Sequence, residues 1–332
     1  MELPVYNEEQ PGITYYYSAL GVYNLGMVNH AHVYGDGKAS EHMYCHVYHE
    51  GVGKKGANNN VSSLIVKTLR QLNLLLDDSA GGELNVIFDN CLGQNKNNTV
   101  LKLAAWLKAM GFFYTVNFTF LVVGHTKNAA DRLFNSLKHE YRKRNIFTME
   151  DLVFQLNVST SVTVIPTSHE DFLDYDTLLK GMYIDLAGKI KQNHVFSCSG
   201  DDLTSVSIYL RRSNLEDHTT TTHKVSKRSR KFNSVAEVRD YSSSRLKPLK
   251  NVGMNPYKVV EMWKNYRPNI PIEYHDNVLY VEPTPAQWAK VKDEKCDRSE
   301  FRAGLKMKKY GENKATKEKI ESVAFGDGTA DS

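Results

Sequence analysis

Paired cysteines, long apolar runs and glycine-rich phosphate loops are all missing from this chain, and each absence closes off a class of function. The four cysteines, Cys45, Cys91, Cys198 and Cys296, are far apart and form no C-x-x-C pair. Reduced thiols are therefore expected rather than a cysteine-held structural zinc. No stretch approaches the ~18 uninterrupted apolar residues of a membrane helix, so no membrane span is expected. Met1-Glu2-Leu3-Pro4 is neither basic nor apolar enough to open a secretory signal, which points to an intracellular protein. The lack of a P-loop or dinucleotide fingerprint sets a sugar- or nucleotide-binding α/β protein low. No helix-turn-helix or zinc-finger reader of DNA is recognisable either. Charge of one sign does not dominate: 42 Lys and Arg against 38 Asp and Glu leave +4, by itself a weak argument for a polyanionic partner.

The 332 residues that are present suffice for one good-sized core and a small second domain. Residues 14–28, rich in Tyr, Val and Leu, read as an extended strand. The run Tyr15-Tyr16-Tyr17 would then alternate faces, with one or two rings in the core. Tyr34-Gly35-Asp36-Gly37-Lys38 is turn chemistry, and His42 to His49 reads as the returning antiparallel strand. Asn58, Asn59 and Asn60 offer N-cap side chains. The helix after them has Val61, Leu64, Ile65, Thr68, Leu69, Leu72 and Leu76 on its buried face. Residues 83–88 read as a buried strand, 98–110 as a helix capped by Gly111, 114–123 as a strand and 128–141 as a helix. Thr148 to Asp151 resembles a capping box. Strands follow at 162–165, 194–198 and 206–210, with a short helix at 176–182. This alternation implies an α/β fold, a mixed sheet with crossover helices. Ligands in such sheets collect beyond the carboxyl ends of parallel strands. Residues 213–250 are polar and Ser/Thr-rich, with a basic cluster of Lys224, Lys227, Arg228, Arg230 and Lys231, and read as a disordered linker. Residues 251–319 read as a small, mostly helical appendage and 320–332 as a frayed tail.

Two acids stand out in this pattern. Asp89 closes the apolar run Leu84-Asn85-Val86-Ile87-Phe88, and Asp131 follows the second run, Phe118 to Val123. The motifs around them, D-N-C-x-G-Q-N-K-N (Asp89 to Asn97) and G-H-T-K-N-x-x-D-R-x-F-x-x-x-K (Gly124 to Lys138), resemble those of an uncharacterised, transposase-derived domain family with a ribonuclease-H-like core. The resemblance covers roughly residues 1–212. It implies a sheet in the order 3-2-1-4-5 and DDE/DDD-type phosphoryl transfer on DNA with Mg²⁺ or Mn²⁺, in a nuclear setting. Asp89 matches the acid of the family's fourth strand and Asp131 the helical acid; Glu50, just ahead of the first helix, matches an additional acid. Only two strands precede that helix here, so the family's first strand, which is central and carries its own Asp, is expected upstream of Met1. The alternative is a non-catalytic nucleic-acid- or protein-binding remnant of a transposable element.

The chemistry behind the resemblance is simple. Two nearby carboxylates repel each other unless a cation lies between them. A pair of Mg²⁺ ions about 3.5–4 Å apart can activate an attacking oxygen and stabilise the leaving one, and carboxylate oxygens are suitable hard ligands. Plainer roles stay open: Asp89 as a turn residue, Asp131 as a first-turn helix acid, Glu50 as a cap or a partner of Lys54. Gln94, Lys96, His125 and Lys127 suit phosphate contacts, or else loop solvation, with Asn97, Asn98, Thr126 or Asn128 as helix caps. Lys224, Arg228 and Arg230 suit nucleic acid or a nuclear import signal, or a solvated linker. The oligomeric state is not legible.

Overall fold

The structure, a computed structural model, describes residues 1–7, 10–75, 82–122, 128–186, 190–200, 206–212 and 220–293. The chain divides into two units, Met1–Gln10 with Ala19–Met254, and Pro11–Ser18 with Asn255–Ser332.

The larger unit is mixed α/β. Its strands are β1 (Glu2–Leu3), β2 (Leu20–Val33), β3 (Ala39–His49), β4 (Glu83–Phe88), β5 (Thr115–Phe120), β6 (Val162–Pro166), β7 (Val195–Cys198), β8 (Ser207–Arg211) and β9 (Thr221–Lys224). Its helices are α1 (Asn58–Gln71), α2 (Asn98–Ala109), α3 (Ala129–Tyr141), α4 (Met149–Leu156), α5 (Tyr175–Met182) and α6 (Val235–Arg245). In place of the single mixed sheet expected, the described strands form two, in the orders β1-β2-β3-β6 and β4-β5-β7-β8-β9. Each contains one parallel pair, β3 with β6 and β4 with β5. No described strand joins β2 to β4; the edge of β2 away from β3 is taken by β1, at Leu20 and Gly21.

Side-chain alternation along β3 explains how the first sheet is covered. His46 donates to or accepts from Thr68 Oγ1 of α1 at 2.7 Å through Nε2. Met43 points to the opposite face, where Phe134 of α3 crosses Gly26 so closely that a Cβ at position 26 would lie 2.6 Å from both side chains. The β2–β3 turn closes at Gly37, whose φ of 78° lies in the left-handed region open to glycine. The second sheet is different. Leu84, Phe88, Val116, Phe118, Phe120, Phe196, Ile208 and Leu210 join Leu101, Trp106 and Leu107 of α2 in one buried core. On its other face the register sets Asn85, Asn117, Ser197, Tyr209 and Thr222 in a single polar row, the pattern of a sheet with one wet side.

Several expectations need correction. Residues 14–28 are not one strand: Gly12–Tyr16 is a 3₁₀ turn, started by Pro11, whose carbonyl accepts from Thr14 N at 2.8 Å, and β2 begins at Leu20. Tyr15 and Tyr16 are 78% and 83% exposed, so neither ring is core. Asn58, Asn59 and Asn60 lie inside the first turn of α1, after an N-cap at Ala57. Their amides reach sideways instead, to Thr99 Oγ1, Asp174 Oδ1 and the Lys54 carbonyl. Helix α1 ends at Gln71, and Leu76 lies outside the described residues. The largest correction concerns the segment expected to be a disordered linker. From residue 220 onward it is folded: β9 pairs with β8, and Val225, Phe232 and Val238 enter the core. Three well-spaced apolar residues anchor a segment whose composition is otherwise polar. Residues 213–219 lie outside the described residues.

The smaller unit is helical where described. α7 (Pro256–Glu261) starts after an Asn255 cap and continues as one π turn, Met262–Tyr266; a helix, α8, runs over 285–293. Lys258 Nζ donates to Ser18 O and Oγ at 2.9 and 2.7 Å, and Tyr17 meets Tyr266 edge-on at 5.8 Å. These contacts draw Pro11–Ser18 into this unit. Residues 294–332, including the expected tail, lie outside the described residues.

Candidate functional site

Asp89 follows β4, and its position comes from the parallel β4–β5 pair: Leu121 N donates to Phe88 O at 3.0 Å, at the carboxyl end of both strands. The carboxylate is exposed and accepts a hydrogen bond from Asn95 Nδ2. Next to it, Asn90 Oδ1 is buried without a hydrogen-bond partner. The loop is a compact turn in which the amides of Gln94, Asn95 and Lys96 converge on Cys91 O at 3.2, 3.0 and 3.1 Å. Asn97 ends it as the cap of α2, accepting from Val100 N at 3.0 Å. Gln94 packs on Gly56 so closely that a Cβ at 56 would force its side chain to shift, and the φ of 60° there favours glycine. The loop after β3 and the loop after β4 are thus neighbours.

The other two acids have structural partners. Asp131 is the third residue of a capping box on α3: Asn128 Oδ1 accepts from Asp131 N at 3.0 Å, and Asp131 Oδ2 accepts from Asn128 N at 3.4 Å. The N-cap of α3 is therefore Asn128. Glu50 Oε1 accepts from Gly21 N at 2.8 Å, closing the start of the β2–β3 pair. Asp89 is not hydrogen-bonded to Asp131 or Glu50. Among the described residues there is no group of three or more His, Cys, Asp or Glu side chains arranged to hold a metal. The carboxylates of Asp89 and Asp131 are, one by one, hard oxygen donors of the kind a divalent cation prefers. A cation keeping several waters needs few protein ligands.

The phosphate candidates are distributed unevenly. Lys96, expected to reach a phosphate, is 2% exposed. Its ammonium sits 5.7 Å from the Phe120 ring centroid and 3.4 Å from the Lys191 carbonyl. Burial lowers its pKa, so Lys96 is a packing residue. His125 and Lys127 lie outside the described residues. Lys224, Arg228 and Arg230 are exposed, Lys224 at the end of β9. Arg230 lies over the ring of Tyr241 at 4.7 Å and Arg245 over the same ring at 5.2 Å. Tyr241 itself is pinned: Phe232 meets it edge-on at 5.4 Å, and its hydroxyl lies where a Cβ on Gly181 would be 2.8 Å away. Sequence reasoning missed Tyr241 and Arg245. Their spacing of four is a helical signal, masked by the Ser/Thr composition around it. The buried thiols of Cys45 and Cys198 are pushed up to about 12 by desolvation. With Cys91 they are free cysteines among the described residues.

No described helix is long and apolar enough to cross a membrane. Searches against curated proteins and against solved structures return no match. Residues 20–216 match a family described as "Domain of unknown function (DUF7869)". That span exceeds half of the chain and runs from the first residue of β2 to just beyond β8, so the chain belongs to this family.

Proposed function

We propose that this chain acts on DNA through a ribonuclease-H-like core of transposase descent, with Asp89 and Asp131 holding Mg²⁺ or Mn²⁺ for phosphoryl transfer. The observation that carries the reading is Asp89: an exposed carboxylate at the carboxyl end of a parallel strand, the place where α/β sheets bind ligands. Two others lend support. The unpartnered Asn90 oxygen beside it is a further hard donor. The neighbour pairs β3-β2 and β4-β5 are also pairs that a 3-2-1-4-5 sheet would contain, although here β3 pairs further with β6 and β5 with β7. When bound, the cation would polarise a phosphoryl oxygen and lower the pKa of a water. The test is nicking of supercoiled plasmid by the purified protein with Mn²⁺. Nicking that Asp89→Ala abolishes supports the reading; equal nicking by wild type and variant refutes it.

A second reading, a non-catalytic nucleic-acid-binding remnant, is favoured by the engagement of Asp131 and Glu50 with backbone amides. Calorimetric titration with Mg²⁺ separates the two. Saturable heat that Asp89→Ala removes favours the metal site; none, in a protein that still binds DNA, favours the remnant.

A further inference from the structure

The segment 224–250 holds nine Lys and Arg against two acids, Glu237 and Asp240. Glu237 is already engaged, accepting from Asn233 N at 2.8 Å. Lys224, Arg228, Arg230, Lys231, Arg245 and Lys247 are all exposed, and no carboxylate of the described residues forms an ion pair with any of them. Among the described residues, then, the positive charge of this face is left uncompensated. Two of the guanidiniums are also fixed in place, Arg230 and Arg245 both lying over the pinned Tyr241 ring.

From this we infer that the α6 face, with Arg230, Tyr241 and Arg245 at its centre, is a docking surface for the phosphate backbone of duplex DNA. The chemistry favours phosphate over other anions. A guanidinium presents a planar fork of donors that matches phosphate oxygens in a bidentate way, and holding it on an aromatic ring removes side-chain freedom before the ligand arrives. The segment carries no exposed large apolar side chain between 224 and 250. A protein partner would need such an anchor, and so would a membrane-inserting face. The exposed Ser229 adds a neutral phosphate partner. Tyr241 is a positioning residue: two guanidiniums lie over its ring, so it orders the cations and does not stack on a base. This inference deepens the DNA reading by naming where the backbone lies, and it stands apart from cleavage.

The experiment is fluorescence anisotropy with a labelled duplex of arbitrary sequence, in EDTA, over a salt series. EDTA silences any metal chemistry, so failure of binding and failure of nicking are read separately. Wild type should bind with a steep salt dependence. Arg230→Ala/Arg245→Ala should weaken binding roughly tenfold or more and flatten the log–log salt slope by about 2, near 0.9 for each phosphate lost. Tyr241→Phe keeps the ring and should bind as wild type; Tyr241→Leu frees both cations but keeps their charge, so it should weaken binding less than the double variant and leave the salt slope unchanged. Far-UV circular dichroism and urea midpoints confirm that each variant is folded. An unchanged slope in the folded double variant overturns the inference. So does equal displacement by polyglutamate or by anionic phosphatidylserine vesicles at matched charge.

Discussion

The carboxylates that the sequence singles out and the guanidiniums in the supposed linker are held in opposite ways. Asp131 accepts from the Asn128 amide and Glu50 from the Gly21 amide, each closing a helix start or a strand end. Arg230 and Arg245 are held by the face of an aromatic ring, which fixes a guanidinium without neutralising its charge or occupying its donors. A charge whose hydrogen bonds are taken serves the fold first; a charge that is positioned but uncompensated is available to a partner. Asp89 stands between the two cases, exposed yet hydrogen-bonded to Asn95.

The sharpest way to break the comparison is to ask whether the basic segment is folded at all. Val238 of α6 is fully buried. Val238→Asp should cost about 3–5 kcal/mol, as an uncompensated charge placed in a core does. A urea midpoint unchanged from wild type would return the segment to a linker.

The next effect lies on the engaged side. His46 is fully buried between Thr68 Oγ1 at 2.7 Å and Thr167 Oγ1 at 3.3 Å. Desolvation, with a smaller push from Lys67 and an opposing pull from Asp171, lowers its pKa to about 4. The unfolded chain, with an ordinary imidazole near 6.5, takes up the proton first as pH falls. The stabilising contribution is therefore complete above about pH 6.5 and drains away towards pH 4, by about 3 kcal/mol at most. Urea melts at pH 7.5 and 4.5 should show the loss in wild type, and a much smaller one in His46→Phe.

The smallest effects separate the acids from each other. Asn128→Ala removes the cap of α3 and should cost about 1 kcal/mol. Asp89→Ala should change stability by no more than about 0.5 kcal/mol, as exposed substitutions do. Thermal melts decide. If Asp89 proved the costlier, it would join the structural acids and the case for it as a metal ligand would fall.

Local order was legible in advance wherever one short-range rule dominates. Glu83–Phe88, Asn98–Ala109 and the left-handed Gly111 cap, with φ of 76°, follow from apolar runs and backbone freedom. The strand mistaken for 14–28 failed because Pro11-Gly12 nucleates a turn that aromatic composition conceals. The linker reading failed because composition averages over a segment, whereas folding depends on a few anchors: Val225, Phe232 and Val238 suffice. The placement of Lys96 failed for a related reason. Its neighbours in sequence are polar, but the Phe120 ring that covers it comes from another strand.

By itself, then, the sequence determined the type of the strongly periodic elements, such as Glu83–Phe88 and Asn98–Ala109, and the position of Asp89 at a strand end, since these depend on residues a few places apart. Tertiary structure alone decided that the strands divide into two sheets, that Asp131 and Glu50 meet backbone amides, and that Arg230 and Arg245 share one ring. Those outcomes depend on which distant side chains burial brings together, and burial is a property of the whole packed chain.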